Sequence, residues 1–76
     1  MFGMTMRRAV MQNEKCVEFV NGVGGMVGQH YKYRCDSVSE AVRFAAYCNQ
    51  RDPNDPTMPI AVTAEIAKTF GAVKDE

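Results

Sequence analysis

Cysteine and histidine are the side chains in this sequence that could together bind a metal ion. Cys16, His30, Cys35 and Cys48 would supply the Cys3His shell of a structural zinc site. None of them has the C-x2-C or H-x3-H spacing that brings two ligands together locally, so the sequence predicts no metal site and no cofactor. An odd number of cysteines leaves one over from any set of disulfides. Reduced, partly buried thiols are therefore predicted, and a disulfide within or between chains stays open as the alternative.

The stretch NGVGGMVG, residues 21–28, raises the question of a phosphate-binding loop because it holds four glycines in eight residues. A dinucleotide fingerprint, G-x-G-x-x-G, closes a strand and opens a helix whose N-terminus meets the phosphate. Here the spacing is Gly22-x-Gly24-x-x-x-Gly28, and the residues that follow alternate as a strand does. The stretch therefore predicts a hairpin tip or a bulge, and not a nucleotide site.

Catalytic chemistry has few candidate residues in this chain. Nucleophilic catalysis needs a base beside the nucleophile and a group that orients the base. His30 is the single histidine, and the alternation around it places it on a polar strand face. Asp52 and Asp55 lie in D-P-N-D-P, which lacks the regular oxygen donors of a calcium loop, so turn chemistry explains them. The sequence predicts a protein that is not an enzyme.

Size and charge limit the classes of function that remain. A chain of 76 residues is expected to form one domain, 1–76, and folding at that size buries about 60% of the surface of the unfolded chain. Nine basic and nine acidic residues give zero formal net charge, which argues against a dedicated nucleic-acid binder. The first residues, MFGMTMRRAVMQ, hold no apolar run long enough for a signal peptide or a membrane span. A cytoplasmic protein without a membrane partner is expected.

The first half of the chain reads as three strands. Residues 4–11 and 14–20 are rich in strand-forming residues and predict a hairpin that turns at Gln12-Asn13. The two-residue period places Val17 and Phe19 on one face of the second strand. After the glycines, QHYKYRC alternates between two faces. One face holds Tyr31, Tyr33 and Cys35, and the other holds His30, Lys32 and Arg34.

A helix is predicted from Ser37 to about Gln50. Ser37 as N-cap and Glu40 three residues later form a capping box. At 100° per residue one stripe of this helix is apolar and should pack on the sheet. The members of that stripe are Val38, Ala41, Val42, Ala45 and Cys48. Arg43 and Tyr47 fall on the opposite side, with Phe44 at its flank.

The second half of the chain predicts a loop and a short helix. RDPNDPTMP holds three prolines and is expected to be a stiff loop. Thr63 as cap and Gly71 as terminator delimit a helix over 63–70, while residues 59–62 fit either strand or helix. Residues 73–76 are expected to fray. The predicted fold class is α+β, a small antiparallel sheet of about three strands with two helices on one face, in the order β-β-β-α-α.

Two groups of surface residues could bind a partner. Alignment of the first and third strands would gather a basic patch on the sheet, formed by Arg7, Arg8, His30, Lys32 and Arg34. Cross-strand pairing of these cations with Glu14 and Glu18 is the alternative. On the helix, an arginine beside aromatic side chains is typical of protein-interface anchors. Those helix candidates are Arg43, Phe44 and Tyr47.

In size, predicted architecture and lack of a catalytic set, the chain resembles the small accessory proteins of bacteriophages and mobile elements, including anti-CRISPR inhibitors. The resemblance implies a non-enzymatic inhibitor that binds a host protein or nucleoprotein complex and blocks it sterically. The residues that would carry this binding are the two surface groups, Arg43, Phe44 and Tyr47 with His30, Lys32 and Arg34. The alternative is a small nucleic-acid-binding or regulatory protein that uses the basic strand face. So small a core leaves both a monomer and a homodimer open.

Overall fold

A computed structural model describes residues 5–24 and 26–75, without the side chain of residue 27. In this part of the chain the elements are β1 (Met6–Asn13), β2 (Cys16–Val23), β3 (Met26–Arg34), α1 (Val38–Cys48), β4 (Arg51–Asp52), β5 (Asp55–Pro59), α2 (Ala64–Thr69) and β6 (Val73–Lys74). An antiparallel four-stranded sheet has the order β1-β2-β3-β6, and β4 and β5 form a separate two-stranded sheet. The predicted α+β class is confirmed, whereas the predicted three strands and the β-β-β-α-α order are wrong in detail.

The first hairpin forms as predicted, but its turn lies two residues further along the chain. Asn13 pairs with Cys16, so Glu14 and Lys15 make the turn. Glu14 adopts a left-handed conformation with φ 55°, and the Gln12 side chain donates a hydrogen bond to its carbonyl oxygen at 2.9 Å. The prediction of a turn at Gln12-Asn13 is therefore wrong, because both residues continue the strand pairing. Residue 4, where the first strand was predicted to begin, lies outside the described residues.

The glycine-rich stretch is the connection between β2 and β3, as predicted. Val23 pairs with Met26, and Gly24 is left-handed with φ 57°. A bulge interrupts the pairing between Val20 and Gly22. A Cβ atom at Gly28 would lie 2.6 Å from the carbonyl oxygen of Asn21, so this close backbone approach requires glycine.

The core lies between one face of the four-stranded sheet and the two helices. Its fully buried side chains include Val17 and Phe19 of β2, on the face that the two-residue period predicts. Tyr33 is stacked on Phe19 with ring centroids 5.9 Å apart and meets Phe44 of α1 edge-on at 5.2 Å. Ala67 of α2 belongs to the same buried cluster, so both helices pack on this inner face of the sheet.

Helix α1 begins as predicted but is rotated relative to the predicted stripe. Ser37 is the N-cap, and its hydroxyl accepts the Glu40 amide at 3.2 Å. Val38 and Val42 are 48% and 51% exposed, while Phe44 is fully buried. A phenylalanine buries more apolar surface than a valine, so the helix turns Phe44 to the core. The predicted burial is confirmed for the remaining members of the stripe, Ala41, Ala45 and Cys48.

The proline-rich segment is a small hairpin, and the prediction of a loop without strands is wrong. Asp52 pairs with Asp55, and the Asp52 carboxylate accepts the amide of Asn54 at 2.8 Å, which closes the turn. In a sheet of two strands both strands are edge strands, and an edge strand tolerates proline because its outer side has no strand to which an N–H would donate. Pro59 ends β5 in a buried position.

The last part of the chain is ordered by a cap, a glycine and a short strand. Thr63 caps α2, and Gly71 has the left-handed φ of 68° that ends it, both as predicted. Of residues 59–62, for which both elements fitted, Pro59 ends β5, and 60–62 belong to neither element. Val73 pairs with Arg34, so the predicted fraying of the described residues 73–75 is wrong, and residue 76 lies outside them. None of the described helices is long and apolar enough to cross a membrane.

Candidate functional site

The side of the four-stranded sheet that faces away from the helices, called here the outer face, carries the basic residues of β3. His30, Lys32 and Arg34 lie on it two residues apart, as predicted, and all three are exposed. Arg7 of β1 lies on the same face. Ala9 pairs with Val20, and Val20 pairs with His30, so Ala9 shares the face of His30. Arg7, two residues before Ala9, points the same way. Arg7 is also exposed. The sheet therefore collects four basic side chains on one open surface.

Most of these cations have no acidic partner. Glu18 lies directly opposite Lys32 in the strand register, but its carboxylate contacts His30 Nε2 at 3.1 Å. Within residues 5–24 and 26–75, this is the one contact closer than 4.0 Å between a basic side chain and a carboxylate. The predicted cross-strand pairing is therefore confirmed for Glu18 with His30, while Lys32 and Arg34 remain unpaired among the described residues.

Arg8 does not belong to the basic surface, and the prediction that groups it with Arg7 is wrong. Successive strand residues point to opposite faces, so Arg8 lies on the inner face. Its Nε donates to the Asn21 side-chain oxygen at 2.8 Å, and its Nη1 donates to the carbonyl oxygens of Cys48 at 3.1 Å and Ile60 at 2.8 Å. Burial lowers the pKa of this guanidinium, although arginine stays charged at any physiological pH.

Beside Arg8 the inner face opens into a cleft of about 450 Å³, called here the Arg8 cleft. The sheet forms one wall, and the β4–β5 hairpin with the residues that follow it forms the other. Asn21 lies beside Arg8 on the sheet wall, and Asp52 and Asp55 lie on the hairpin wall. The apolar lining comes from both walls and includes Phe19, Tyr31, Met58, Pro59 and Val62.

The helix candidates do not form an exposed aromatic patch. Phe44 is fully buried in the core, which corrects the prediction that it flanks the solvent side of α1. Tyr47 is half-buried and packs on Phe70 of α2, with ring centroids 5.3 Å apart. Arg43 is exposed. The structure thus groups His30, Lys32 and Arg34 on the outer face. Of the three helix candidates, only Arg43 is exposed.

The cysteines are free thiols placed in different surroundings. Cys35 and Cys48 are buried, and Cys16 is half-exposed. Burial raises the pKa of the Cys35 thiol and raises that of Cys48 to about 11. The described residues include no group of three or more His, Cys, Asp or Glu side chains that could hold a metal ion. Buried thiols with raised pKa values are poor nucleophiles, because the thiolate is the reactive form.

The Arg8 cleft was not expected from the sequence. Strand alternation alone separates Arg8 from Arg7, and that signal was present in the sequence. Asp52 and Asp55 line the Arg8 cleft because residues 51–59 form a hairpin, whereas the prolines of this segment predicted a loop. Comparison of the chain with known protein families, with characterised proteins and with solved structures finds no match.

Proposed function

We propose that this protein is a non-enzymatic binding module whose outer face docks on an acidic surface of a partner protein or nucleoprotein complex. The observation that carries the proposal is the set of exposed cations on an open sheet. Lys32 and Arg34 are exposed and have no carboxylate within 4.0 Å in the described part of the chain. An acidic partner would supply the charges that the described residues do not.

The surroundings of these cations favour a protein partner over a nucleic acid. Met11 and Val73 are 58% and 66% exposed, and both lie on the outer face, since Met11 pairs with Glu18 and Val73 pairs with Arg34. They add apolar area at the margins of the basic surface. Single-stranded nucleic acids are bound by stacking of bases on aromatic rings. The tyrosines of β3 point to the inner face, and the outer face has no Phe, Tyr or Trp among the described side chains.

The specific form of the proposal is a phage-type, anti-CRISPR-like inhibitor that blocks its target by steric occlusion. A sheet backed by two helices is a rigid support, and a rigid interface loses little conformational entropy on binding. Four-stranded pairing fixes the backbone spacing of Lys32 and Arg34, so the strands need no rearrangement to present these side chains to a complementary surface. Occlusion requires only such a surface, without a reacting group.

The test is capture of a partner from a nuclease-treated lysate of the organism that carries the gene, followed by binding measurements with the purified partner. The double variant K32E/R34E reverses the charge of the outer face. The matched control, R43E/K68E, makes the same change in net charge at two exposed helix positions. We expect the first variant to lose at least about tenfold in affinity and the control to keep the affinity of the wild type.

Two results would contradict the proposal. Equal loss in both double variants would show that net charge, and not the outer face, controls binding. Binding of a DNA or RNA oligonucleotide that weakens linearly with the logarithm of salt, and that is lost in K32E/R34E, would instead establish the nucleic-acid alternative. Light scattering of the same preparations measures whether the wild type is a monomer or a homodimer.

A further inference from the structure

The Arg8 cleft is independent of the outer face and has the features of a site for a small ligand. Its volume of about 450 Å³ lies within the range of ligand pockets, roughly 300–1,000 Å³. Phe19 in its lining is fully buried, and Tyr31, also in the lining, stacks on Phe19 with centroids 4.9 Å apart. Such a site, with apolar and charged side chains in one lining, suits a molecule that has both apolar and charged parts.

The sheet wall offers hydrogen-bond donors. Arg8 uses Nε and Nη1 for the protein, and within the described residues Nη2 donates no hydrogen bond. Asn21 accepts from Arg8 through its oxygen, so its amide nitrogen faces no acceptor among those residues either. Neither nitrogen is a buried, unsatisfied atom among the described residues, and both side chains line the cleft. Neighbouring N–H groups with one positive charge match the oxygens of a carboxylate.

The hairpin wall offers acceptors. The Asp55 carboxylate accepts the Thr57 hydroxyl at 2.6 Å and the Thr57 amide at 3.2 Å through one oxygen, Oδ1. These hydrogen bonds lower the pKa of Asp55, so it is ionised at neutral pH. Asp52 likewise uses Oδ1 for the amide of Asn54. In each aspartate the second oxygen accepts no hydrogen bond from the described residues.

The two walls do not neutralise each other by direct contact. No ion pair within 4.0 Å joins Arg8 to Asp52 or Asp55, although all three line the same cleft. A pure anion would be repelled by the two aspartates, and a pure cation would leave the charge of the arginine unmatched. A ligand with both charges would satisfy both walls.

We propose that the Arg8 cleft binds a free amino acid or short peptide in its zwitterionic form. Its carboxylate contacts Arg8 and Asn21, its ammonium group contacts Asp52 and Asp55, and its side chain lies against the apolar lining from Tyr31 and Met58. The hydrogen bonds that hold Arg8 to Cys48 and Ile60 orient the guanidinium before the ligand arrives, which reduces the entropic cost of binding.

The experiment is an NMR titration of the full chain with three related dipeptides. Glycyl-phenylalanine carries both charges, its N-acetyl derivative lacks the ammonium group, and its C-terminal amide lacks the carboxylate. We expect the free dipeptide to shift the side-chain signals of Arg8 and Asn21 and the backbone signals of residues 52–59. Each blocked derivative is expected to bind at least about tenfold more weakly.

Two variants test the walls without removing Arg8, whose loss would weaken the fold. N21D places a carboxylate on the guanidinium and should abolish dipeptide binding while the unfolding midpoint stays equal or rises. D55N keeps an oxygen for Thr57 but loses the charge, and should weaken binding of the free dipeptide at least about tenfold. Its control is E18Q, the same change of charge on the outer face, which should bind as the wild type does.

Several outcomes would overturn the proposal. One is a wild-type spectrum unchanged by millimolar glycyl-phenylalanine. A second is equal binding of the free and blocked dipeptides, which would show that charge is not recognised. A third is undiminished binding by N21D or D55N. None of these results bears on the outer face, so the proposed function is tested separately.

Discussion

The guanidinium carbon of Arg8 lies 4.4 Å from the centroid of the Phe19 ring, so a positive charge rests on a fully buried aromatic side chain. The same guanidinium binds the last turn of α1 at Cys48 and the segment after β5 at Ile60. Arg8 thus joins the sheet, a helix and the segment that follows the β4–β5 hairpin. Carbonyl oxygens at the C-terminal end of a helix carry partial negative charge, which favours a cation at this place.

Replacement of Arg8 by methionine is expected to destabilise the fold by about 3 kcal/mol. The change removes hydrogen bonds from a charged donor to two carbonyl oxygens, together with the cation–π contact. The free energy of unfolding in urea measures the effect. Arg7→Met is the control on the outer face and should change stability by less than about 0.5 kcal/mol. Equal effects of the two substitutions would contradict the structural role of Arg8.

The core position of Phe44 leads to a second comparison, on helix α1. Phe44→Ala is expected to cost about 3 to 5 kcal/mol, because it leaves a cavity between the helix and Tyr33. Val42→Ala should change stability by less than about 0.5 kcal/mol, since Val42 is half-exposed. Urea denaturation of both variants tests the rotation of the helix. A larger loss for Val42→Ala would support the stripe predicted from the sequence instead.

Sequence patterns predicted the strands and helices that are marked by neighbouring residues, through alternation or a capping residue. Alternation grouped Val17 with Phe19 and Tyr31 with Tyr33, each pair on one strand face, and the structure shows that this face meets the core. The Ser37 cap placed the start of α1. The rotation of α1 was missed because the apolar pattern alone does not weigh the size of Phe44 against that of Val42. The strand β6 was missed because it has two residues and forms only by pairing with β3. Of the candidate site, the basic face followed from alternation, whereas the Arg8 cleft depends on contacts between distant segments.

Two glycines should resist substitution for different physical reasons. At Gly28 an added Cβ would meet the backbone oxygen of Asn21 at 2.6 Å, so Gly28→Ala must displace the bulge itself. At Gly71 the Cβ would meet the Glu40 carboxylate, which accepts a hydrogen bond from the Ser37 hydroxyl, and the left-handed φ of 68° adds a backbone cost. We expect Gly71→Ala to cost about 1 to 2 kcal/mol. Gly28→Ala should cost more, and thermal unfolding of the two variants gives the order.

The thiols are expected to differ in their reactivity. Cys16 is half-exposed, while Cys35 and Cys48 are buried and have raised pKa values. A chromogenic thiol-specific reagent at neutral pH should therefore react rapidly with one thiol and with the other two only after denaturation. Cys16→Ser should abolish the rapid phase. Rapid reaction of a second thiol in the native protein would contradict the burial of Cys35 or Cys48.

Alkaline pH is expected to weaken the fold through Cys48. Burial raises the pKa of this thiol to about 11, and nearby Arg8 only partly opposes that rise. In the unfolded chain the thiol ionises near its ordinary value, about 9.0. The unfolded state therefore loses its proton first as the pH rises, and the free energy of unfolding falls between roughly pH 9 and pH 11, by about 2 kcal/mol from this residue. The stabilisation is fully present below that window. Tyr33 and Cys35, whose pKa values burial also raises, act with the same sign.

Urea denaturation at a series of alkaline pH values, with a reductant present, measures this slope. Cys48→Ala removes the titrating group, and it should lose stability less steeply over the window than the wild type does, whatever its stability at neutral pH. The comparison uses the slopes because the smaller side chain also leaves a cavity that is independent of pH. An identical slope in the two proteins would show that the Cys48 thiol ionises with the same pKa in the folded and unfolded states, which full burial of the side chain does not permit.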